Sequence, residues 1–263
     1  MSSSAASPNR AAYETDELIG RYTNFDSLFP AEERIFQKFK RQFAGNVLDI
    51  AIGAGRTTRA LLPLAATYIG LDYSEGMVQA ARRVFPGADL RALDMREVPR
   101  EFADRRFDAI LISFNGIDLI SWEDRCALLS ALPRLLADGG VFVFSVHDLA
   151  DIDRQRGFRL RPDLQQSWRT SYKPRSLARL LLRAPPWVLK AWRNRRRLRH
   201  LEQTFDGYAY VNDIDGDYGL VNVYVAVPKQ MEVLKACGFS RIEVSQPWLL
   251  NEVAYFTYFD CQL

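Results

Sequence analysis

Histidine is nearly absent from this chain, with two in 263 residues, and cysteine is scarce, with three. Cys126, Cys237 and Cys261 are odd in number and far apart, with no C-x-x-C pair and no Cys/His cluster. These shortages exclude a zinc site, a histidine-rich metal centre and a disulfide framework. No apolar run reaches the roughly 18 residues of a membrane span. The opening MSSSAASPNR lacks the apolar segment of a secretion signal. A formal charge of +3 names no partner by itself. The expectation is a reduced, cytoplasmic, soluble protein with no metal. What is present, 48% apolar and 25% charged residues over 263 positions, is enough for a sizeable core.

Apart from a Ser/Ala-rich start, where residues 1–12 read as disordered, the chain alternates. PAEERIFQKFKRQF (30–43) has helical spacing with Pro30 in its first turn. NVLDIA, YIGLDY, DLRALD, FDAILISF and VFVFSVHD read as strands. RTTRALLPLA, SEGMVQAARRVF with Ser74 as N-cap, and WEDRCALLSALPRLLAD, closed by Gly139-Gly140, read as helices between them. This alternation predicts a doubly wound α/β sheet. Residues 151–202 break the pattern, with 15 basic against 4 acidic side chains. GYAYVND and YGLVNVYVAV then read as a hairpin joined by IDGD. PKQMEVLKACGF is a helix, and RIEVSQ and VAYFTYFDC are final strands.

The first strand runs into Ala51-Ile52-Gly53-Ala54-Gly55-Arg56. Glycines between a strand and a helix let the backbone approach a ligand closely. Two of the three glycines of a dinucleotide fingerprint are missing, as is the lysine of a phosphate loop. Three features follow in register, namely Asp72 ending the second strand, Asp94-Met95 the third, and Ser113-Phe114-Asn115 the fourth. All of them fall at carboxyl ends of strands, where open α/β sheets bind ligands.

On these residues the chain resembles a class I S-adenosylmethionine-dependent methyltransferase. The resemblance is close over 30–148 and looser over KACGFSRIEV and YFTYFD. It implies a Rossmann-like, doubly wound seven-stranded sheet, an α/β insertion after the fifth strand and an antiparallel final strand. It implies S-adenosylmethionine as cofactor and S-adenosylhomocysteine as product. The family motif D/E-x-G-x-G-x-G reads here from Asp49 to Gly55, with Ala51 for the first glycine, tolerable where φ stays negative. By resemblance Gly53 and Gly55 approach the methionine part and Asp72 takes the ribose. Asp94 and Met95 hold the adenine, Ser113, Phe114 and Asn115 form the floor, and Asp49, Tyr73 and Met77 complete the set. Four parts are expected, comprising an N-terminal tail and lid (1–30), a cofactor-binding core (31–148), an acceptor-side insertion (149–227) and a sheet-completing end (228–263).

Methyl transfer from a sulfonium asks the protein mainly to position a nucleophile, with a base where the acceptor must lose a proton. His147, leaving the fifth strand at the same edge, is the candidate base or a strand-end cap. Asp118 orients an amine or caps the next helix. Tyr22 is a lid over the cofactor or a core side chain. Trp168, Tyr210 and Tyr224 are candidate acceptor contacts, with Tyr172, Trp187, Trp192 and Tyr208 as further wall residues. The reading is O- or N-methylation of a small molecule, with no membrane span and no nucleic acid. Its rivals are an RNA methyltransferase using the basic 183–200 stretch and a non-catalytic binding protein on the same fold.

Overall fold

A computed structural model describes residues 8–24, 27–155, 186–214, 216–245 and 257–263. Two short helices, α1 (Pro8–Tyr13) and α2 (Asp16–Thr23), precede α3 (Pro30–Lys38) and α4 (Lys40–Phe43). The alternating core follows as β1 (Asn46–Ile50), α5 (Arg56–Leu61), β2 (Thr67–Asp72), α6 (Glu75–Val84), β3 (Asp89–Ala92), α7 (Val98–Glu101), β4 (Phe107–Ile112), α8 (Trp122–Ala131) and β5 (Leu136–Asp148). Beyond it lie α9 (Ile152–Gln155), α10 (Pro186–Leu198), β6 (Gln203–Thr204), β7 (Tyr208–Val211), β8 (Asn222–Val225), α11 (Val227–Ala236), β9 (Arg241–Ser245) and β10 (Thr257–Gln262).

The seven core strands run β3-β2-β1-β4-β5-β10-β9, parallel up to β5, with β10 antiparallel to both β5 and β9. The mixed α/β, Rossmann-like sheet read from the sequence is therefore present. The insertion adds β8, β7 and β6, joined where β8 runs parallel to the last residues of β5, His147 opposite Tyr224. Successive strand residues feed opposite faces. Leu48, Ile50, Ile110, Ile112, Phe142 and Phe144 enter the core under α7, α8 and α11. Val47, Ala109, Leu111, Val141 and Val143 enter the core under α3 to α6. Strands buried on both faces must be apolar throughout, which is why FDAILI and VFVF show no polar alternation.

Several local expectations need correction. Residues 8–12 are helical, because Asn9 is buried and ties α1 to distant backbone, its amide donating to Leu119 O and Val221 O and accepting from Val221 N. The 30–43 helix breaks at Phe39, which leaves helical geometry at φ −107° and ψ 29°. The helix expected to run to Asp138 ends at Ala131, because Pro133 lacks the N–H that would continue it, and Leu136–Asp138 already belong to β5. Strands β7 and β8 are antiparallel, but a ten-residue connection, 212–221, joins them rather than the four-residue turn IDGD. Ser74 does cap α6, accepting from Met77 N at 3.2 Å.

The glycine turn differs from expectation in one torsion. Ala51 has φ +61°, not a negative value. An L-residue in the left-handed region carries roughly 1–2 kcal/mol of strain. Its methyl occupies space that Gly116 leaves, since a Cβ at Gly116 would lie 2.5 Å from the Ala51 Cβ. The glycine needed at this crossing stands on the β4 side instead of in the β1 turn. Gly116→Ala should therefore destabilise by about 1–3 kcal/mol. Adding Ala51→Gly should restore most of that loss, and urea midpoints for the four-member cycle measure the coupling. Additive effects would mean the two positions do not share this space.

Candidate functional site at the carboxyl edge of the sheet

The turn after β1 is built from left-handed residues, Ala51 at φ +61°, Gly53 at +55° and Gly55 at +95°. Gly53 N–H donates to Asp72 Oδ2 at 2.8 Å, and Ser74 N–H donates to Asp72 Oδ1 at 2.9 Å. Asp72 is buried, and burial pushes its carboxyl up to about 6 despite these two donors. Asp72 thus sits at the end of β2 directly against the glycine turn. The ring of Tyr22 lies on the bare face of Gly53, where a Cβ would meet Tyr22 Cδ1 at 2.9 Å. Tyr22 OH is 3.0 Å from Tyr13 OH, and its ring meets Phe114 edge-on at 6.0 Å. Tyr73 meets Tyr13 edge-on, and Met77 packs with Leu18 and Ala54 below. Gly55 has a different reason, because a Cβ there would strike Phe85 of the α6 C-cap at 2.8 Å.

Other expected positions are occupied differently. Asp49 points into the seam between β1, β2 and α5, accepting from Thr57 Oγ1 and Tyr68 OH at 2.7 Å each. It braces the strand to the helix rather than facing the turn. Asp94 caps the 3-10 turn Met95–Glu97 and pairs with Arg96 at 2.7 Å, and Met95 is buried in the core. Ser113 faces inward to a buried knot in which Glu32 receives Arg56, Ser113 and Tyr258 OH, the last at 2.9 Å. Burial opposes ionisation of Glu32, but Arg56, Ser113 and the Phe29 N–H outweigh it and hold the carboxyl below its usual range. Phe114 and Asn115 are both left-handed, at φ +50° and +60°. For a phenylalanine this is strain, held by stacking on Phe29 at 5.5 Å and by the Arg56 guanidinium 5.4 Å above its ring.

A second cluster forms at the end of β5. His147 Nδ1 is 2.9 Å from Asp118 Oδ2, which also accepts from His147 N at 2.7 Å. Asp118 Oδ1 accepts from Arg125 Nη1 at 2.5 Å, and Arg125 donates to Gln230 Oε1 through Nε and Nη2. Asp118 and Arg125 are fully buried, so this is a paired internal charge. Asp118 is not the cap of α8, because Ser121 is, accepting from Asp124 N at 3.1 Å. His147 Nε2 lies 3.2 Å from Asn115 Nδ2, so with the amide donating, the ring carries its proton on Nδ1 and its Nε2 lone pair accepts from that amide. Tyr224 stacks on the imidazole at 4.6 Å and donates its hydroxyl to Asp213. Tyr210 is placed elsewhere, its hydroxyl accepting from Trp122 N at 2.9 Å at the start of α8. Trp168 and Tyr172 lie outside the described residues. The structure thus brings together Asn115, Asp118, His147 and Tyr224, and separately Gly53, Asp72, Tyr22 and Phe114, with Phe114-Asn115 joining the two groups.

Sequence reasoning passed over Arg56, Glu32, Asn9, Arg125 and Asp213. Arg56 had a legible signal in its place directly after the glycines. The others meet their partners only through the fold. Among the described residues, no three His, Cys, Asp or Glu side chains are grouped to hold a metal ion. No described helix is long and apolar enough to cross a membrane.

Comparison with known proteins bears on the fold that carries this edge. Residues 47–140 match the family model described as a methyltransferase domain. The chain is 32% identical over 143 residues to a demethylmenaquinone methyltransferase of Renibacterium salmoninarum, covering 52% of this chain and 58% of that protein. The chain thus spans little more than half the length of that curated relative. An S-adenosylmethionine-dependent methyltransferase from Clostridium acetobutylicum superposes with a TM-score of 0.58 at 16% identity, covering 97% of this chain and 98% of that one. A 1,6-didemethyltoxoflavin-N1-methyltransferase of Burkholderia thailandensis gives 0.57 at 14% identity, covering 99% and 92%. Residues 47–140 thus carry a methyltransferase domain, on the fold of the S-adenosylmethionine-dependent methyltransferases to which the chain is similar.

The residues present fit that cofactor. Asp72 offers a carboxylate beside a turn whose Gly53 has no side chain, and Asn115 Oδ1 is a buried acceptor without a donor. A nucleoside bearing hydroxyl and ammonium donors suits both.

Burial raises the Asp49 carboxyl from 3.8 to about 7 against its two hydroxyl donors. A raised value means the folded chain keeps a proton that the unfolded chain releases. That contribution is complete below about pH 4 and is lost as pH rises through about 7. The stability of the parent relative to Asp49→Asn should therefore fall with rising pH, by at most about 4 kcal/mol between pH 4 and 8. Urea titrations of both proteins across that range give the difference, and parallel curves would show an Asp49 that does not titrate there.

Proposed function

We propose that this chain methylates a small, hydroxyl-bearing acceptor at the carboxyl edge between β4 and β5. The observation that carries this reading is the chain His147–Asp118–Arg125, which presents Nε2 beside Asn115. When bound, S-adenosylmethionine supplies a methyl group already activated on a sulfonium. The protein's own task is then orientation and removal of the acceptor proton. Asp118, held by Arg125, keeps the imidazole proton on Nδ1 and steadies the positive charge that develops when Nε2 exchanges the Asn115 amide for the acceptor's proton. Tyr224 fixes the ring plane, and Asp213 fixes Tyr224. An amine already carries a free lone pair when neutral, whereas a hydroxyl gains most from a base at the moment of transfer. Tyr22, resting on Gly53, is read as the lid over the cofactor.

Two measurements test this reading. S-adenosylhomocysteine at about 100 times its Kd should stabilise the protein by about 2.7 kcal/mol and raise Tm by several degrees. Asp72→Ala should lose most of that shift, whereas an undiminished shift would place the cofactor elsewhere. His147→Ala should keep the shift but lower turnover of the true acceptor by about 10²-fold or more at neutral pH. The deficit should shrink as pH approaches the acceptor's own pKa, where the hydroxyl ionises without help. A variant with parental turnover at neutral pH would leave His147 a strand-end cap.

A further inference from the structure

The helix α10 has two unlike sides. Its inner side is pinned. Ala191 and Leu198 are buried, and Asn194 donates to Asp217 O. Lys190 pairs with Glu17 at 2.5 Å, and Arg195 pairs with Glu202 at 2.7 Å. Its outer side carries Leu189, Trp192, Arg193 and Arg196, continuing into Arg199, at the three- and four-residue spacing of one helix face, with the exposed Arg197 at the border, where it also edges the cleft beside Lys190 and Asn194. Leu189 is 43% exposed and Trp192 50%, among the few large apolar side chains left in water. The Arg196 guanidinium sits 5.5 Å above the Trp192 ring. Among the described residues, Arg193, Arg196, Arg197 and Arg199 have no carboxylate partner. Residues 186–200 hold six Lys and Arg and no acid.

A helix C-terminus favours basic side chains. That accounts for Arg196, Arg197 and Arg199 but not for Arg193, nor for the exposed Leu189 and Trp192 among them. An aliphatic and an indole side chain interleaved with unpaired arginines match a surface that is anionic outside and apolar just beneath. We infer that the outer face of α10 docks on an anionic lipid bilayer, with Trp192 and Leu189 at headgroup level and the arginines on lipid phosphates. An RNA backbone would satisfy the arginines and the indole but would leave Leu189 without a reason. The place of α10 gives docking a consequence. Its inner face touches α2, which carries Tyr22, and the chain leaves it into β7 and β8, which lie against His147. A bound bilayer would therefore flank the acceptor edge. Lipid binding does not depend on turnover, so it stands or falls separately from the proposed reaction.

Co-sedimentation of the full chain with vesicles tests the inference. Phosphatidylcholine vesicles with 30% phosphatidylglycerol should bind at least tenfold more tightly than pure phosphatidylcholine, with loss of binding as salt rises. Arg193→Gln, Arg196→Gln and Arg197→Gln together should weaken the anionic partition about 10²-fold, from about a fivefold loss per basic side chain. These arginines make no carboxylate contact, so the variant should keep its S-adenosylhomocysteine Tm shift, which confirms folding. Trp192→Ala should weaken partition while keeping the salt dependence. Equal binding to neutral and anionic vesicles, binding to neither at low salt, or a triple variant that partitions like the parent would each overturn the inference. Tighter, salt-steep binding of single-stranded RNA in the same buffer would make this face a nucleic-acid surface instead.

Discussion

The buried pair between Arg56 and Glu32 fixes where four elements that share one hydrophobic core meet at its upper edge. Glu32 comes from α3, Arg56 from the glycine turn, Ser113 from the end of β4 and Tyr258 from β10, and all converge on one carboxylate. Arg56 also lies over the rings of Phe29 and Phe114. Desolvating two charges costs several kcal/mol each, and a nonpolar replacement of similar shape is often as stable. The pair is better understood as fixing geometry. Removing one partner would leave the other charge buried and unpaired, typically a loss of about 3–5 kcal/mol. With both present, the ring of Phe114 is held in a left-handed backbone, and that torsion passes Asn115 onward to His147.

The site is thus two clusters hinged on a strained dipeptide. On one side Asp72, Gly53 and Tyr22 surround the turn. On the other Asp118, His147 and Tyr224 form a hydrogen-bonded and stacked row. Ala51, Phe114 and Asn115 are three of the five described non-glycine residues at positive φ, and they gather at this junction. Strain of about 1–3 kcal/mol per residue persists only where the surroundings over-determine it. The Ala51 methyl beside Gly116 and the aromatic–guanidinium stack on Phe114 are those surroundings.

Much of this was legible in order along the chain. Strands buried on both faces announce themselves as unbroken apolar runs, so β4 and β5 and the residues at their ends were readable. The Ser74 cap was readable because its partner lies three residues away. The side chain of Asp49 was misjudged because a strand end does not reveal which face its residue takes, and Asp49 shares the face of Val47, toward α5. The left-handed torsion of Ala51 was not readable because its compensation, Gly116, lies in a different loop. Asn9 was read as part of a polar tail because its partners, Leu119 and Val221, are more than a hundred residues away. Local pattern carries the elements, and pairing at long separation carries the site.

The N-terminal helices are held to the core by contacts of different kinds. Asn9 in α1 makes three hydrogen bonds to backbone, two of them fully buried. Breaking a buried polar contact leaves a desolvated group behind, at about 1–3 kcal/mol for each. The α2 helix is held by Leu18, buried with Ala54, Met77 and Ala80, and by the ion pairs of Arg21 with Asp217 and Lys190 with Glu17, in which one or both side chains are partly in water. Such ion pairs contribute about 0–1 kcal/mol each and weaken with salt. Tyr22, on α2, rests on the bare face of Gly53, and its hydroxyl lies 3.0 Å from that of Tyr13 at the end of α1, so the two helices meet the glycine turn together. Lys190 and Asp217, which meet α2, are joined to each other's elements by Asn194 donating to Asp217 O, and the same connection runs on into β8 and Tyr224, so the Tyr22 contact on Gly53 and the Tyr224 stack on His147 are tied through α10 and the β7–β8 connection.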